Sequence, residues 1–258
     1  MSELCEVKGL VIRTTDIKES DRLLTVYTEE KGIVTALAKG ARSLKSRKLS
    51  STGQFCYSSF VLYYQGDKCW VKEANLIESF FDIRNSIDGL ALCAYIAEVL
   101  EHVATAEGDR ELLRLCLNSI YAISKGKHGL DKIKAAFEIR LASIIGFMPD
   151  IIACHNCQSR EGSFLFDIMA GALECNECHG LGVSQPLTDE HESHVLCHLT
   201  QGAKTALEYS IYSPLEKLFS FSVEGEDMRL FKRATEQYLL NHLERSFKTL
   251  EFYNEVKL

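Results

Sequence analysis

The chain has 258 residues, of which 46% are hydrophobic and 25% are charged, and its formal net charge is -7. This composition is that of an ordinary globular protein and argues against a disordered chain. No stretch reaches the ~18 consecutive apolar residues of a membrane-spanning helix, and the first residues, MSELCEVKG, lack the apolar core of a secretory signal. We therefore expect a cytoplasmic protein without a membrane partner.

The first 80 residues have the pattern of a small β-barrel. Five runs rich in Val, Ile, Thr and aromatic residues are separated by polar or glycine-containing turns: EVKGLVIRTTD, DRLLTVYTEE, GIVTALAKG, FCYSSFVLYYQ and KCWVKEANLIE. Five strands in this length fit an OB-fold, and they fit an SH3-like barrel as well. We expect residues 1–80 to form one domain, and residues 81–258 a second one.

The most basic segment, KGARSLKSRKLSSTGQF, joins the third and fourth predicted strands as a mobile connection or a short helix. Its first ten residues contain no acidic side chain and hold five cations: Lys39, Arg42, Lys45, Arg47 and Lys48. Residues 1–80 carry 12 basic and 10 acidic residues, whereas the other 178 carry 17 and 26. Most charge runs are solvated loops, but cations concentrated on the basic part of an acidic protein favour phosphate binding.

Neutral and aromatic side chains near this segment extend the predicted nucleic-acid site. Ser46 and Thr52 are candidates for uncharged phosphate contacts. OB barrels also bind single strands by stacking bases on aromatic rings. The candidate rings are Tyr27, Phe55, Tyr57 and Tyr63, about half of which should be core residues because strand side chains alternate between two faces.

From about Asn85 the hydrophobic period becomes helical. Two helices are predicted over DGLALCAYIAEVLEHVATA and DRELLRLCLNSIYAISKG, the second with Asp109 as its N-cap. A third is marked by Leu130, Ile133, Phe137, Leu141 and Ile144, and it should stop at GFMPD. A single long helix from about Glu226 is predicted by Leu240, Leu243, Phe247 and Leu250.

Four of the ten cysteines form two C-x-x-C pairs inside this helical body: Cys154, Cys157, Cys175 and Cys178. The 17 residues between the pairs match the spacing of structural zinc sites, in which four thiolates complete a tetrahedron and leave no open position for water. SFLFD and GALEC can form a hairpin with MAG at its tip. The sequence therefore predicts one structural zinc ion in a ribbon inserted near residues 150–182.

Other interpretations of these residues are weaker. A redox C-x-x-C needs one pair in a βαβ context, and haem attachment at CNECH belongs outside the cytoplasm. His155 or His179 could replace one sulfur ligand. His191, His194 and His198 share one face if HESHVLCH is helical, which could make a second metal site, although a chance cluster is favoured. The remaining cysteines are interpreted as core residues.

Motifs of nucleotide-binding and hydrolytic enzymes are missing from the sequence. It contains no G-x-x-x-x-G-K-[ST] loop, no complete G-x-G-x-x-G loop and no G-x-S-x-G elbow. We therefore expect a protein that is not an enzyme. Two other classes remain open at this point: a zinc-stabilised adaptor that binds only proteins, and a thiol or metal enzyme built on the histidine cluster or on one C-x-x-C.

The assembled motifs resemble the RecO family of bacterial DNA repair proteins. GLVIRTTDIKESDRLLTVYTEEKGIVTALAKGARSLKSR is similar to the family's N-terminal OB segment, FEIRLASIIGFMPDIIACHNC to its helix, turn and first zinc knuckle, and ERSFKTLEFYNE to its C-terminal helix. The combination of the K-G-A-R…K-S-R run with the later F-E-x-R-L…G-F-x-P…C-x-x-C run is specific. The resemblance covers nearly the whole chain.

The resemblance implies an α+β multidomain fold, with an N-terminal OB-fold barrel, a helical body and an inserted four-cysteine zinc ribbon. It implies a non-enzymatic mediator that binds single- and double-stranded DNA, anneals complementary strands, engages the single-strand-binding protein and works with RecR to load RecA recombinase. The family's DNA-contacting run falls on the five cations from Lys39 to Lys48, and its zinc ligands fall on the four cysteines. Family members are often basic overall, whereas this chain is acidic.

Overall fold

A computed structural model describes residues 2–180 and 196–257. The chain packs into two compact units, one formed by Met1–Gly126 with Phe247–Leu258 and the other by Lys127–Ser246. The second unit is thus inserted in the sequence of the first. This packing groups the first two helices with the barrel. The predicted domain division at residue 80 stays a prediction.

The five predicted strands are confirmed, and they form a closed barrel. The strands are β1 (Ser2–Ile17), β2 (Asp21–Thr28), β3 (Gly32–Ala38), β4 (Cys56–Gln65) and β5 (Lys68–Ser79). Their order around the barrel is β1-β2-β3-β5-β4, with β3 and β5 parallel and the other pairs antiparallel. This order is the OB-fold arrangement, so the structure decides between the two barrels that the sequence allowed.

Strand alternation places the barrel core. Along β4 buried and partly exposed residues alternate, and Phe60 and Leu62 point inward at 1% and 2% exposure. They meet Val11, Leu24 and Val71 from the neighbouring strands. Removing these branched and aromatic side chains from water stabilises the barrel at roughly 25 cal/mol per Å² of apolar surface.

Three helices complete the first unit: α1 (Ile87–Val103), α2 (Arg110–Lys125) and α6 (Lys248–Val256). The predicted N-cap is confirmed, because the Asp109 carboxylate accepts hydrogen bonds from the backbone N–H groups of Glu111 and Leu112. A 3-10 helix at Phe81–Asn85 links the barrel to α1. Helix α6 packs on α1, where the Phe247 ring meets the Tyr95 ring edge-on at 5.9 Å between centroids.

Within its described residues, 127–180 and 196–246, the second unit combines three α-helices with a four-stranded sheet. Its helices are α3 (Leu130–Ile144), α4 (Gln201–Tyr212) and α5 (Gly225–His242). Its strands are β6 (Asp150–Cys154), β7 (Phe164–Asp167), β8 (Ala172–Cys175) and β9 (Leu196–Leu199), in the order β6-β8-β7-β9. The predicted third helix is confirmed and ends before GFMPD; α4 and β9 were not predicted.

The prediction of a single last long helix is wrong. Helix α5 ends at His242, and α6 begins at Lys248, so five residues lie between the two helices. Glu244 adopts a left-handed backbone conformation with φ of 49°, which breaks the helix. Phe247 then has extended backbone and belongs to the first unit, so the break coincides with the passage of the chain from one unit to the other.

Candidate metal centre and nucleic-acid interface

The four predicted cysteines come together in the second unit. The sulfur atoms of Cys154, Cys157, Cys175 and Cys178 all lie within 4.8 Å of one another. A tetrahedral ion with metal–sulfur bonds of ~2.3 Å places its sulfurs about 3.8 Å apart. The Cys157 and Cys175 sulfurs, at 3.6 Å, already match this separation. The cluster therefore has the ligand number and spacing to hold one metal ion.

Two similar turns direct these sulfurs to one point. Cys154 ends β6 and Cys175 ends β8, and these two strands are parallel neighbours. After Cys154, the Gln158 N–H donates to the Cys154 carbonyl at 2.9 Å; after Cys175, the His179 N–H donates to the Cys175 carbonyl at 3.0 Å. Strands β7 and β8 form the predicted hairpin, with Phe164 opposite Cys175.

The backbone around Cys154 favours a thiolate. Burial raises the pKa of its thiol, but hydrogen bonds from the backbone N–H groups of Cys157, Cys175 and Asn156 lower it by more. The net result is a pKa of about 6. The Cys175 N–H, for example, lies 3.2 Å from the Cys154 sulfur. Metals bind the thiolate and not the thiol, and Cys154 is the ligand whose thiolate the backbone favours, whereas burial raises the pKa of Cys175 and hydrogen bonds with neighbouring cysteines raise that of Cys178.

The neighbouring histidines have other partners. His155 Nδ1 lies 3.3 Å from the Leu173 carbonyl, and His179 Nδ1 lies 2.8 Å from the Glu174 carboxylate. The four sulfurs alone thus form the ligand set within the described part of the chain.

The interpretation of three histidines on one helical face is wrong for His198, which is the one of the three that the structure describes. His198 lies in strand β9 and not in a helix. His191 and His194 lie outside the described residues. Because side chains alternate along a strand, the helical i, i+3, i+7 argument does not apply at His198.

The basic segment between β3 and β4 is a run of turns, such as the one closed by the Ser46 N–H donating to the Ser43 carbonyl at 2.8 Å. Lys39, Lys45 and Arg47 are exposed on it. These three cations are placed to attract phosphate groups. That they bind DNA stays a prediction.

Two of the five predicted cations have structural contacts as well. The Arg42 guanidinium forms an ion pair with Asp16 at 3.2 Å and donates to the carbonyls of Lys18 and Glu19, each at 3.3 Å. It thereby fixes the segment to the β1–β2 turn. The Lys48 ammonium donates to the Val71 carbonyl on β5 at 2.9 Å, which fixes the far end of the segment to the barrel wall.

Several neutral and aromatic candidates are buried and cannot contact DNA in this conformation. The Thr52 side chain is fully buried and donates to the Lys48 carbonyl at 2.7 Å. Tyr27 and Phe55 are core residues at 0% and 5% exposure. Tyr57 and Tyr63 are partly exposed, as the alternation of β4 requires.

A groove that the sequence did not indicate lies beside the basic segment. It has a volume of about 540 Å³, and its lining residues are Leu4, Leu37, Lys39, Lys48, Tyr63, Gln65, Trp70, Val71 and Lys72. Trp70 was not among the predicted aromatic candidates, although the alternation of side chains along its strand could have indicated that it faces outward. We call the cations of the segment and groove together the basic patch: Lys39, Lys45, Arg47, Lys48 and Lys72.

A second groove on the barrel is acidic. It has a volume of about 460 Å³, and its charged lining residues are Glu6, Lys8, Glu29, Glu30 and Glu73. Four carboxylates around one ammonium repel a phosphate backbone. The charge on the barrel therefore differs between these two grooves, and the basic patch is the one suited to a polyanion.

Comparison with known protein families covers most of the chain. Residues 1–80 match the family model described as "Recombination protein O N terminal", and residues 84–251 match the one described as "Recombination protein O C terminal". The first match spans the barrel strands, and the second spans the four-cysteine cluster.

Curated relatives are similar over nearly their full length. The DNA repair protein RecO of Acetivibrio thermocellus is 34% identical over 249 residues, which cover 96% of this chain and 95% of the relative. The proteins of the same name from Alkaliphilus metalliredigens and Desulforamulus reducens are each 28% identical over 257 residues. These cover 98% of this chain and 100% and 95% of the relatives, respectively. No helix within the described residues has the length and hydropathy of a membrane span.

Proposed function

Because the chain belongs to the RecO family, we propose that it is a recombinational DNA repair mediator and not an enzyme. It binds single- and double-stranded DNA, anneals complementary strands and helps to load RecA recombinase onto strands coated by single-strand-binding protein. Its protein partners in this role are RecR and the single-strand-binding protein. It acts in the cytoplasm, in association with the nucleoid.

The observation that carries this proposal is the exposed part of the basic patch on an OB barrel. Lys39, Lys45 and Arg47 are accessible from solvent, while Arg42 and Lys48 hold the segment in place. Cations on a fixed segment bind phosphates by releasing condensed counterions, without regard to sequence. Such a surface suits a protein that must act at any damaged site.

Annealing needs no catalytic group in this proposal. Two complementary strands repel each other through their phosphates, and the basic patch lowers that repulsion by neutralising part of the charge. Contacts to the backbone leave the base edges available for pairing. The strands then pair faster because they are held close together.

We further propose that the ion of the four-cysteine cluster is zinc. Four thiolates in two C-x-x-C turns are the ligand set of structural zinc sites, and they leave no coordination position for a substrate. The ion would fix the ends of β6 and β8 and so stabilise the ribbon. In this role the cysteines contribute to stability and not to chemistry.

The proposal is tested with the full-length, zinc-loaded protein. Fluorescence anisotropy of a labelled oligo-dT strand and of a labelled duplex measures binding at low salt, and resonance energy transfer between two labelled complementary strands measures annealing. We expect both DNA forms to bind and annealing to accelerate. Absence of binding to either form at low salt would refute the mediator role and favour the zinc-stabilised adaptor.

A further inference from the structure

The groove beside the basic patch contains a continuous apolar row on the outside of the barrel. Strand pairing sets Leu4 opposite Tyr63, Tyr63 opposite Trp70, and Trp70 opposite Leu37, so the row crosses β1, β4, β5 and β3. These residues point outward, because the adjacent Leu62 and Val71 point into the core at 2% and 3% exposure. The row is thus not part of the barrel core.

The two rings of this row form one surface. Tyr63 and Trp70 have centroids 5.8 Å apart and planes inclined by 38°, and both side chains remain partly exposed. Leu4, 56% exposed, extends the surface on one side. Stacking of a base on such a ring contributes to binding whatever the base, because every base presents a flat π-face.

Cations border the rings on the side of β3 and β5. Lys39 follows Leu37 by two residues and lies directly after the end of β3, and Lys72 follows Trp70 by two residues on β5. The Lys48 ammonium lies at the groove wall, fixed 2.9 Å from the Val71 carbonyl. Flat apolar rings beside several ammonium groups match a polymer of unpaired bases joined by phosphates. In a duplex the base faces are already stacked, so a duplex can use only the cations.

We propose that the Tyr63–Trp70 groove is a base-stacking site that makes this barrel prefer single-stranded over double-stranded nucleic acid. This inference rests on the proposed function and adds to it the surface that distinguishes the two DNA forms. The phosphates lie on the basic patch, and one or two bases lie on the rings. Glu6 and Glu73 pair with Val61 one row further along the strands and repel phosphates there, so they direct the backbone towards Lys39.

The groove carries its own reporter, because Trp70 is the single tryptophan of the chain. We expect an oligo-dT strand to quench tryptophan fluorescence. An abasic strand of equal length, which has the phosphates without the bases, should bind more weakly and leave the emission nearly unchanged. A duplex should bind without quenching.

Substitutions separate stacking from packing. Trp70→Leu keeps an apolar side chain but removes the flat ring, and we expect it to weaken single-strand binding by roughly 5- to 150-fold. Trp70→Phe keeps a ring and should retain most of the affinity. Both variants should bind duplex within about twofold of the unsubstituted protein. Tyr121→Ala, which removes a 51% exposed aromatic residue of α2 outside the groove, is the matched control.

The outcomes distinguish this inference from the function on which it rests. If the unsubstituted protein binds single strands but Trp70→Leu binds them equally well, the stacking site is refuted and the mediator role stands. If neither DNA form binds at all, the mediator role itself fails. If an acidic peptide of alternating Asp and Leu quenches Trp70 and oligo-dT does not, the groove binds protein and the inference is overturned.

Discussion

The salt dependence of DNA binding should report the number of cations in the basic patch. Each phosphate contact to a single strand contributes about -0.7 to the slope of log K against log salt. Five contacts predict a slope of about -3.5, which is roughly a 130-fold loss of affinity between 50 and 200 mM salt. The double variant Lys45→Ala/Arg47→Ala removes two exposed cations that have no structural role in the barrel. It should reduce the slope to about -2.1, or roughly an 18-fold loss over the same range.

Anisotropy titrations of a labelled oligo-dT strand at four or five salt concentrations measure both slopes. Lys8→Ala is the matched control, because Lys8 is an exposed cation of the same barrel that lies in the acidic groove. Its slope should equal that of the unsubstituted protein. If the double variant binds single strands with an unreduced slope, the phosphates contact another surface and the assignment of the basic patch is wrong.

Three further predictions concern the rest of the molecule. Cys175→Ser should reduce bound zinc from about one ion per chain to near zero and lower the melting temperature, whereas Cys5→Ser should change neither. Metal analysis and thermal melts measure both quantities. A Cys175→Ser protein that still binds one zinc ion would contradict the ligand set. Phe247→Ala should cost about 3–5 kcal/mol in urea unfolding because its ring is 1% exposed, while Phe252→Ala on the exposed face of α6 should cost less than ~0.5 kcal/mol; equal costs would refute the packing argument. Burial raises the pKa of Tyr238 from 10.0 to about 12, so its contribution to stability is complete below pH 10 and is lost as the pH rises to 12. The free energy of unfolding should fall by about 2–3 kcal/mol over this range, and it should fall less steeply in Tyr238→Phe. Parallel curves for the two proteins would exclude Tyr238 as the cause.

Features that depend on neighbours in sequence were predictable. The five barrel strands followed from runs rich in β-branched and aromatic residues between polar turns, and the Asp109 cap followed from a side chain that reaches backbone N–H groups two and three residues on. The four-cysteine cluster followed for the same reason, because each C-x-x-C turn presents its two sulfurs locally. Only the pairing of the two turns is long-range, and a hairpin between them is short enough to be read from the sequence.

Features that depend on strand register or on a single backbone angle were not predictable. Leu240, Leu243, Phe247 and Leu250 keep helical spacing through the break at Glu244, so periodicity could not detect it. Trp70 joins Tyr63 because β4 and β5 pair in one register, and joins Leu37 because β3 and β5 lie side by side across the barrel closure. Neither relation is visible in a linear pattern.

The order in which the chain is synthesised bears on how the first unit matures. Its barrel and first two helices emerge from the ribosome early, but α6, which covers α1, emerges only after all 120 residues of the inserted unit. Until then Tyr95 lacks its contact with Phe247, and the apolar face of α1 stays uncovered. The first unit of the nascent protein is therefore incomplete while the second one folds. A chain truncated before α6 would contain the barrel but expose the apolar surface of α1 that α6 covers, and it would be prone to aggregate.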